Sequence, residues 1–492
     1  MCDINKILTY WFNNDNIWFN ATSDDDKYIK DTFGDYLDND IKYWCRTSDG
    51  CLAYIIINDQ FSRHIYRNTN NDISKYDSNA LNATFYAIEN GYDYKYTPEQ
   101  RCFMLLPLRH SREKHFIKCS INKIMGYRKE EDNPIYRRFY KASLRSLSDI
   151  LNYECKESTT YLNDFSDICD FWTINKPQLV EHSDIFNTIK FSIPKYTNNI
   201  VISLSGGVDS MVCSYVLSHL NLNVIAVSIN YGNRDTSYKE AEFVKWWCKK
   251  INIKCYVRNI TEIKRSRDYD RSIYEDITRE IRFNMYKRFG YPVILGHNYD
   301  DTIENIFSNI SKKLNYNNLK GMTKFSKEKG VDIWRPLIKV KKDDIIKFAE
   351  INNIPYLYDS TPSWSRRGQM RDKLIPFIND FDPNLINGLV ELSETQSNMN
   401  NIIEKFVLQP FLQKLQFSNN SCMLNIDNHR DNGLLFWRKV INYIFNKLEI
   451  SQPSLKSITN LHFFIRNNKD AKIILNKNTN CYIKKNRIFI IF

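Results

Sequence analysis

The sequence predicts three domains of different class. An all-helical domain spans residues 1–175. An α/β domain on a doubly wound parallel sheet spans 190–400, and a small α+β domain spans 401–492. Three observations carry this reading. Apolar residues recur at helical spacing through the first region. Short β-rich runs alternate with amphipathic helices through the second. In the third, one clear helix precedes strand-like runs around polar turns. A chain of 492 residues, with 42% hydrophobic and 26% charged residues, is globular and long enough for several domains.

In the first region "LNATFYAIENGYDYKY" and "IYRRFYKASLRSLSDILNYE" show the helical pattern. The texture loosens around "TINKPQLVEHSD", which places a linker near residues 175–190. From Asn199 the alternation begins. Strand "NIVISLS" runs into helix "MVCSYVLSHLNL", and strand "NVIAVSINYG" into helix "YKEAEFVKWWCKKI". Strand "KCYVRNI", helix "RSIYEDITREIRFNMYKRF" and strand "PVILGHN" complete the series. Ligands on such sheets sit at the carboxyl ends of strands. "SGGVDS" and "GHNYDD" both fall there. The third region holds the helix "LLFWRKVINYIFNKL" and ends in "AKIILNKNTNCYIKKNRIFIIF", rich in Lys and Arg.

Composition excludes several classes. The twelve cysteines form no C-x-x-C pair, which removes support for zinc-ribbon and thioredoxin-like readings. The opening "MCDINKILTYWF" lacks the apolar core of a signal peptide, and no apolar run is long enough to span a membrane. The expected location is the cytoplasm. A formal net charge of +12 permits a polyanionic partner.

The loop Ser205–Ser210 carries the clearest chemistry. Gly206 and Gly207 allow backbone angles closed to other residues and bring a ligand close to the main chain. Ser205 and Ser210 add hydroxyls. The helix that opens at Val208 aims free N–H groups and its positive dipole end at the loop. This suits a phosphate or pyrophosphate, with Asp209 there for a metal ion or a backbone turn. The loop fits neither G-x-x-x-x-G-K-[ST] nor G-x-G-x-x-G.

"SGGVDS" resembles the loop of the N-type ATP pyrophosphatases (PP-loop enzymes), which cleave ATP between its α and β phosphates. Further motifs, in order, resemble the tRNA(Ile)-lysidine synthetases among them. "INYGNRDTSYKEAEF" places Asn230, Gly232, Arg234 and Ser237 in that family's second-strand frame, without its leading histidine. "TREIRFNMY" matches an Arg-x-x-Arg helix through Arg279 and Arg282. "GHNYDDTIENIF" keeps His297, Asp300, Asp301 and Glu304, with Asp300 expected to cap the helix. "LKGM", "WRPLI", "YDSTP" and "RRGQMRDKLIP" follow, with Arg367-Gly368 standing where the family has Arg-Asn.

The resemblance covers about residues 199–384. It implies an ATP-dependent ligase that adenylates a tRNA base, the wobble cytidine of an isoleucine tRNA, and displaces AMP with lysine or another amine. It implies ATP and Mg²⁺ as cofactors. Ser205, Gly206, Gly207, Val208, Asp209 and Ser210 would hold the nucleotide, and Asp209 the Mg²⁺. His297, Asp301 and Glu304 would orient ATP or the amine. Arg282 and Arg371, with Arg279, would bind phosphates or stabilise charge. tRNA, ATP and the amine are the expected partners; no membrane is expected, and a homodimer stays open. A thiolation-type or small-molecule adenylating synthetase is the alternative, or a non-catalytic nucleotide-binding protein. Cys213, just past the loop, reads as a core residue.

The third region resembles the same enzymes' C-terminal part, which grips tRNA. "ILTYWF", "NDQFSRHIYR" and "LPLRHS" in the first region resemble an uncharacterised all-helical, TPR-like family. Asp59, Arg63 and Arg67 share one helical face. His110 with Ser111 points either to catalysis or to a buried polar network. The expected role is a tRNA- or protein-binding module.

Overall fold

Strong helix-start signals open the N-terminal region. Thr22 and Asp25 form a reciprocal capping box, as do Thr97 and Gln100, with Pro98 as the next residue. The computed structural model describes residues 2–492 apart from 70, 178–182, 196, 266–269, 312–318, 360, 419, 449 and 478. Its first region contains α1 (Cys2–Asn13), α2 (Ser23–Phe33), α3 (Ser48–Ile55), α4 (Ser74–Glu89), α5 (Pro98–His110), α6 (Lys114–Glu130) and α7 (Pro134–Tyr153). In α7 the buried Tyr136, Phe139, Tyr140, Leu144, Leu147 and Leu151 fall at three- and four-residue steps, the stripe that the sequence predicts. The expected linker near 175–190 falls partly outside the described residues. Asp184–Lys190 within it forms a helix capped by Ser183.

The α/β region builds a six-stranded sheet from β1 (Asn199–Ser203), β2 (Asn223–Asn230), β3 (Lys254–Asn259), β4 (Val293–Ile294), β5 (Phe325–Glu328) and β6 (Val331–Trp334). The order is β3-β2-β1-β4-β6-β5. Every pair is parallel except β5–β6. Helices α8 (Val208–Ser218), α9 (Ser237–Lys250) and α10 (Arg271–Phe289) connect the first four strands. Then come α11 (Tyr299–Ser311) and α12 (Lys342–Ile351). The β5–β6 hairpin is an addition to the predicted parallel sheet. Its two-residue turn holds Lys329 at φ 47 and Gly330 at φ 82, the left-handed pair that tight hairpins need. Lysine at the first of these positions hides the signal in the sequence.

Packing divides the chain into two compact units. The first comprises Met1–Tyr299 and Lys324–Ser360; the second comprises Asp300–Thr323 and Thr361–Phe492. Within the first unit the N-terminal helices and the sheet region share a core. Ile273, Ile277 and Ile281 of α10 lie in the same apolar cluster as Trp11, Phe61, Leu108 and Leu144. Polar contacts follow the same seam. Arg145 grips Glu280 through two bonds of 2.7 and 2.6 Å, and Lys141 pairs with Asp276 at 2.5 Å.

The second unit carries α13 (Pro383–Ile403), α14 (Leu434–Lys447) and α15 (Leu455–Arg466). Its antiparallel sheet has β7 (Gln416–Ser418), β8 (Ser421–Asn425), β9 (Ala471–Asn476), β10 (Thr479–Lys484) and β11 (Arg487–Ile491), in the order β9-β10-β11-β8-β7. Trp437, Ile441, Ile444, Cys481 and Ile488 fill its core. This is the small α+β fold expected near the C-terminus.

Ile277 is fully buried in the shared core of the first unit. Ile277→Ala is expected to cost about 2–5 kcal/mol. Thermal unfolding followed by calorimetry should show a lower midpoint for the transition that melts both the helical region and the six-stranded sheet.

Candidate active site

The strand order reverses between β1 and β4. From β1 the chain goes outward through β2 and β3, then returns to β4 on the other side. The segments leaving the carboxyl ends of β1 and β4 therefore diverge and open a crevice, the usual ligand position on such a sheet. Ser205–Gly207 leaves one strand and Leu295–Asn298 the other.

Gly206 has φ +86, and a Cβ there would overlap the Cδ1 atom of Leu357. The Leu357 N–H donates to the Gly206 carbonyl at 3.0 Å, so the loop is held from outside as well. Gly207 caps α8 without a side chain, its N–H donates to Ser205 Oγ at 3.4 Å, and no side-chain cap bond from the N-cap position covers the first turn. The positive end of α8 is thus open to an anion. The Ser210 hydroxyl donates to the Gly207 carbonyl at 2.9 Å and accepts the Ser205 N–H at 3.2 Å, which closes the loop on itself. Val208 is buried and anchors the helix start. Across the crevice, a Cβ on Gly296 would lie 2.9 Å from the Ser210 nitrogen. That glycine stands in the "GHN" of the predicted motif. Its close approach to the first loop is what the motif's spacing left unstated.

The Asp209 carboxylate accepts from Asn298 Nδ2 at 2.9 Å and from Lys342 Nζ at 2.6 Å. Lys342 opens α12. It lies far along the chain in a charged run, "KVKKDD", which reads as solvated surface. His297 accepts a bond from the Arg335 Nε–H at 3.1 Å through Nδ1. Because a guanidinium only donates, the neutral imidazole carries its proton on Nε2. Arg335 is only 4% exposed and is clamped by Ser326 at 2.8 Å and Glu328 at 2.6 Å on the β5–β6 hairpin. Burial alone would raise the Glu328 carboxyl. The bond to Arg335 and the charges of Arg335 and Arg279 outweigh it and hold Glu328 below its ordinary value. The sequence reading missed Lys342 and, although it matched "WRPLI", gave Arg335 within that motif no role.

Arg279 pairs with Glu328 at 2.8 Å, a contact within the fold at a residue expected to bind phosphates. Arg282 differs. Its Nε is buried with no hydrogen-bond partner among the described residues, and its guanidinium lies 5.8 Å from the Phe283 ring centre. Nearby, the Tyr286 hydroxyl donates to Ser203, the last residue of β1, at 2.6 Å. Burial pushes that hydroxyl up to about 12 against the opposing charge of Arg282.

A second cluster lies in the second unit. Asp301 and Glu304 share a face of α11. Arg371 grips Glu304 Oε1 through Nε at 2.9 Å and Nη2 at 2.7 Å, and Arg367 reaches both carboxylates. Glu304 is 4% exposed. Arg367, at the position that departs from the resembled motif, is therefore a direct member of the cluster. Gly368 beside it is required, since a Cβ would overlap the Pro362 carbonyl. Asp300 lies inside the first turn of α11, because the helix begins at Tyr299 and not at Asp301. The structure thus gathers Ser205–Ser210 and His297 around the crevice of the first unit, with Arg282 packed near the end of β1. It gathers Asp301, Glu304 and Arg371 in the second unit.

Cys213 is fully buried and its thiol is pushed up by burial, as expected of a core residue. Among the described residues no three His, Cys, Asp or Glu side chains cluster as a metal-binding set. No described helix is long and apolar enough to cross a membrane.

A family described as a PP-loop domain matches residues 181–378, and a family described as a bacterial protein of unknown function (DUF924) matches residues 7–157. The loop, the sheet order and the first of these matches define a PP-loop protein that uses ATP. A tRNA(Ile)-lysidine synthase of Chlamydia muridarum is 30% identical over 223 residues, covering 44% of this chain and 68% of that protein. Another, from Francisella tularensis subsp. novicida, is 26% identical over 301 residues, 58% of this chain and 71% of that one. Among solved structures, the U34-tRNA thiolase NcsA from Methanococcus maripaludis aligns at 19% identity and a TM-score of 0.38, over 44% of this chain and 78% of that one. The chain belongs to the tRNA(Ile)-lysidine synthase family.

Gly206→Ala forces a side chain into Leu357 at a left-handed backbone position, a strain of about 1–3 kcal/mol. Titration calorimetry with ATP should show binding lost or greatly weakened, while Gly388→Ala, in an open position on α13, leaves it unchanged.

Proposed function

We propose that this protein is an ATP-dependent ligase that modifies the wobble cytidine of an isoleucine tRNA with lysine. The observation that carries the reading is the open, side-chain-free start of α8 at the sheet's switch point, in a chain of this family. The reaction has two steps. The cytidine carbonyl oxygen attacks the α-phosphorus of ATP, and pyrophosphate leaves. The amine nitrogen then attacks the activated ring carbon, the C–O bond to AMP breaks, and the nitrogen gives up its proton.

Each residue has a part in this proposal. The N–H groups of Val208 and Asp209, with the Ser205 hydroxyl, hold the departing pyrophosphate, while the Gly207 N–H and the Ser210 hydroxyl keep the loop closed around it. Lys342 adds a positive charge beside Asp209. His297 presents its Nε2–H to the nucleotide, and Arg335 fixes that tautomer. Arg282 places an unsatisfied guanidinium nitrogen where charge develops, a preorganised donor that costs no reorganisation. Asp209 would hold Mg²⁺ in exchange for one of its bonds to Asn298 and Lys342, as a single carboxylate that acts together with the substrate phosphates. Bound there, the ion would neutralise phosphate charge.

Asp301 and Glu304 are balanced by Arg367 and Arg371, so the cluster has no net charge. The lysine ammonium is proposed to take the place of Arg367, the more exposed of the two arginines, while Arg371 keeps Glu304 in position. The basic second unit is proposed to hold tRNA through phosphates, which position without specifying sequence. The cytoplasm, where tRNA and ATP are found, is the proposed location.

The test is pyrophosphate release from ATP with total tRNA, with and without lysine, beside Asp209→Ala. Release that needs tRNA, product formation that needs lysine, and loss of both in the variant are expected. Release with tRNA but no lysine-dependent product would remove the amine. No response to tRNA would sink the tRNA reading in favour of a small-molecule acceptor. In the same assay Arg282→Ala should lower kcat by about 10²–10³-fold, the scale of losing one preorganised donor.

A further inference from the structure

The helical part of the first unit contains chemistry that the ligase reading does not use. A cleft of about 1120 Å³ is lined by residues of α5–α7, by Arg63 and by the C-terminal end of α10. It exceeds the size of ordinary small-ligand pockets. Five cations line it: Arg63, Arg109, Arg112, Lys287 and Arg288. Among the described residues that line it Asp149 is the one carboxylate, and burial and then the charge of Glu280 raise it above its usual value.

Two of the cations are engaged. Arg63 pairs with Asp77 at 2.5 Å, and Arg288 donates to the Asn152 and Cys155 carbonyls at 2.7 and 2.8 Å. Among the described residues Arg109, Arg112 and Lys287 have no ion pair. Burial pushes Arg109 down from its usual value and outweighs the opposing charge of Asp59, which lies beyond ion-pair distance. Its charge lies 5.2 Å from the Phe139 ring centre. Arg112 is held at φ 55, a left-handed position unusual for a side chain of that size.

His110 completes the wall. Its Nδ1 bonds Asp59 at 2.8 Å, and Asp59 is 1% exposed. Burial raises that carboxyl, but His110 and Arg63 outweigh it and hold Asp59 below its usual value. An ionised Asp59 keeps a proton on Nδ1. Asp59 sits in a π-helical turn, Ile56–Phe61, and His110 follows Pro107 inside α5, two local distortions of helix geometry. Ser111 takes no part. Its hydroxyl donates to the Leu108 carbonyl at 2.9 Å and accepts the Glu113 N–H at 3.2 Å, so no Ser–His nucleophile forms.

We propose that this cleft is a second anion site, separate from the ATP loop, which takes a phosphate-bearing ligand. Arg109, Arg112 and Lys287 hold the phosphate oxygens, and His110, tethered at Nδ1 by Asp59, stands on the same wall and reports their binding. Unpaired guanidinium groups favour phosphate for its charge and its match to their fork geometry. The phosphate belongs either to a free phosphorylated small molecule or to an RNA backbone.

The test uses the full chain labelled with ¹⁵N-histidine, in which His110 is one of eight histidines and is assigned with His110→Gln. Inorganic phosphate is titrated with the ATP loop saturated by a non-cleavable α,β-methylene ATP. The His110 imidazole signals are expected to shift saturably. The exposed double variant Arg112→Ala/Lys287→Ala, checked for unchanged thermal unfolding, should weaken that Kd by at least about tenfold. Displacement of phosphate by tRNA would assign the site to an RNA backbone; retention of phosphate beside tRNA would assign it to a small molecule. No His110 shift with phosphate or tRNA, or an equal affinity in the double variant, would overturn the site. None of these readouts depends on ligase activity.

Discussion

The constraint on which the site depends is that two chain segments must pass within van der Waals reach of one phosphate-sized loop. Leu357 presses on Gly206 from one side, and Gly296 crosses the Ser210 nitrogen from the other. A side chain at either glycine would push the walls apart. The loop cannot relax to receive one, because Ser205, Gly207 and Ser210 already bond one another. What remains is a rigid ring of backbone with the N-terminus of α8 at its floor. Rigid donors aimed at a fixed point are what a phosphate transition state rewards.

Around that ring the charges are arranged in pairs that restrain one another. Asp209 is tethered to Lys342 and Asn298, and His297 to Arg335. The β5–β6 hairpin earns its place here. It brings Ser326 and Glu328 onto Arg335, and Arg335 then fixes which nitrogen of His297 bears the proton. A hairpin added to the edge of a parallel sheet thus acts on the crevice two strands away. In the second unit Glu304 is gripped by two arginines, so this buried carboxylate is not left uncompensated.

The sequence made the backbone of this site legible and left its side-chain partners hidden. Gly206, Gly207 and the strand–loop–helix context are local, so "SGGVDS" could be read directly. Asp301 and Glu304 were legible because three-residue spacing puts them on one helix face. Lys342 and Arg335 were not, because their meaning comes from partners 133 and 38 residues away in the chain. Arg367 looked like a departure from a motif, and only the folded chain sets it between Asp301 and Glu304. The β5–β6 hairpin was missed because Lys329 occupies a turn position that usually signals itself with Asn or Gly. The helical texture of the first region was plain in the sequence. Its apolar continuity with α10 was not, since periodicity shows that a face is buried but not against what.

That continuity gives α10 an unusual load. Ile277 and Ile281 enter the helical core, Arg282 and Tyr286 lie near the end of β1, and Lys287 and Arg288 line the basic cleft. From Arg282 to Lys287 is five residues, about 7.5 Å along a helix axis. A helix fixed on one flank by a packed core and on another by Arg145 and Lys141 has little freedom to slide. Any ligand that pulled on its last turn would therefore act on a body that also carries Arg282. The helical region is then better regarded as one wall of the enzyme than as a separate appendage. Its removal would strip apolar cover from Ile277 and Ile281 and leave the helix that bears Arg282 half exposed.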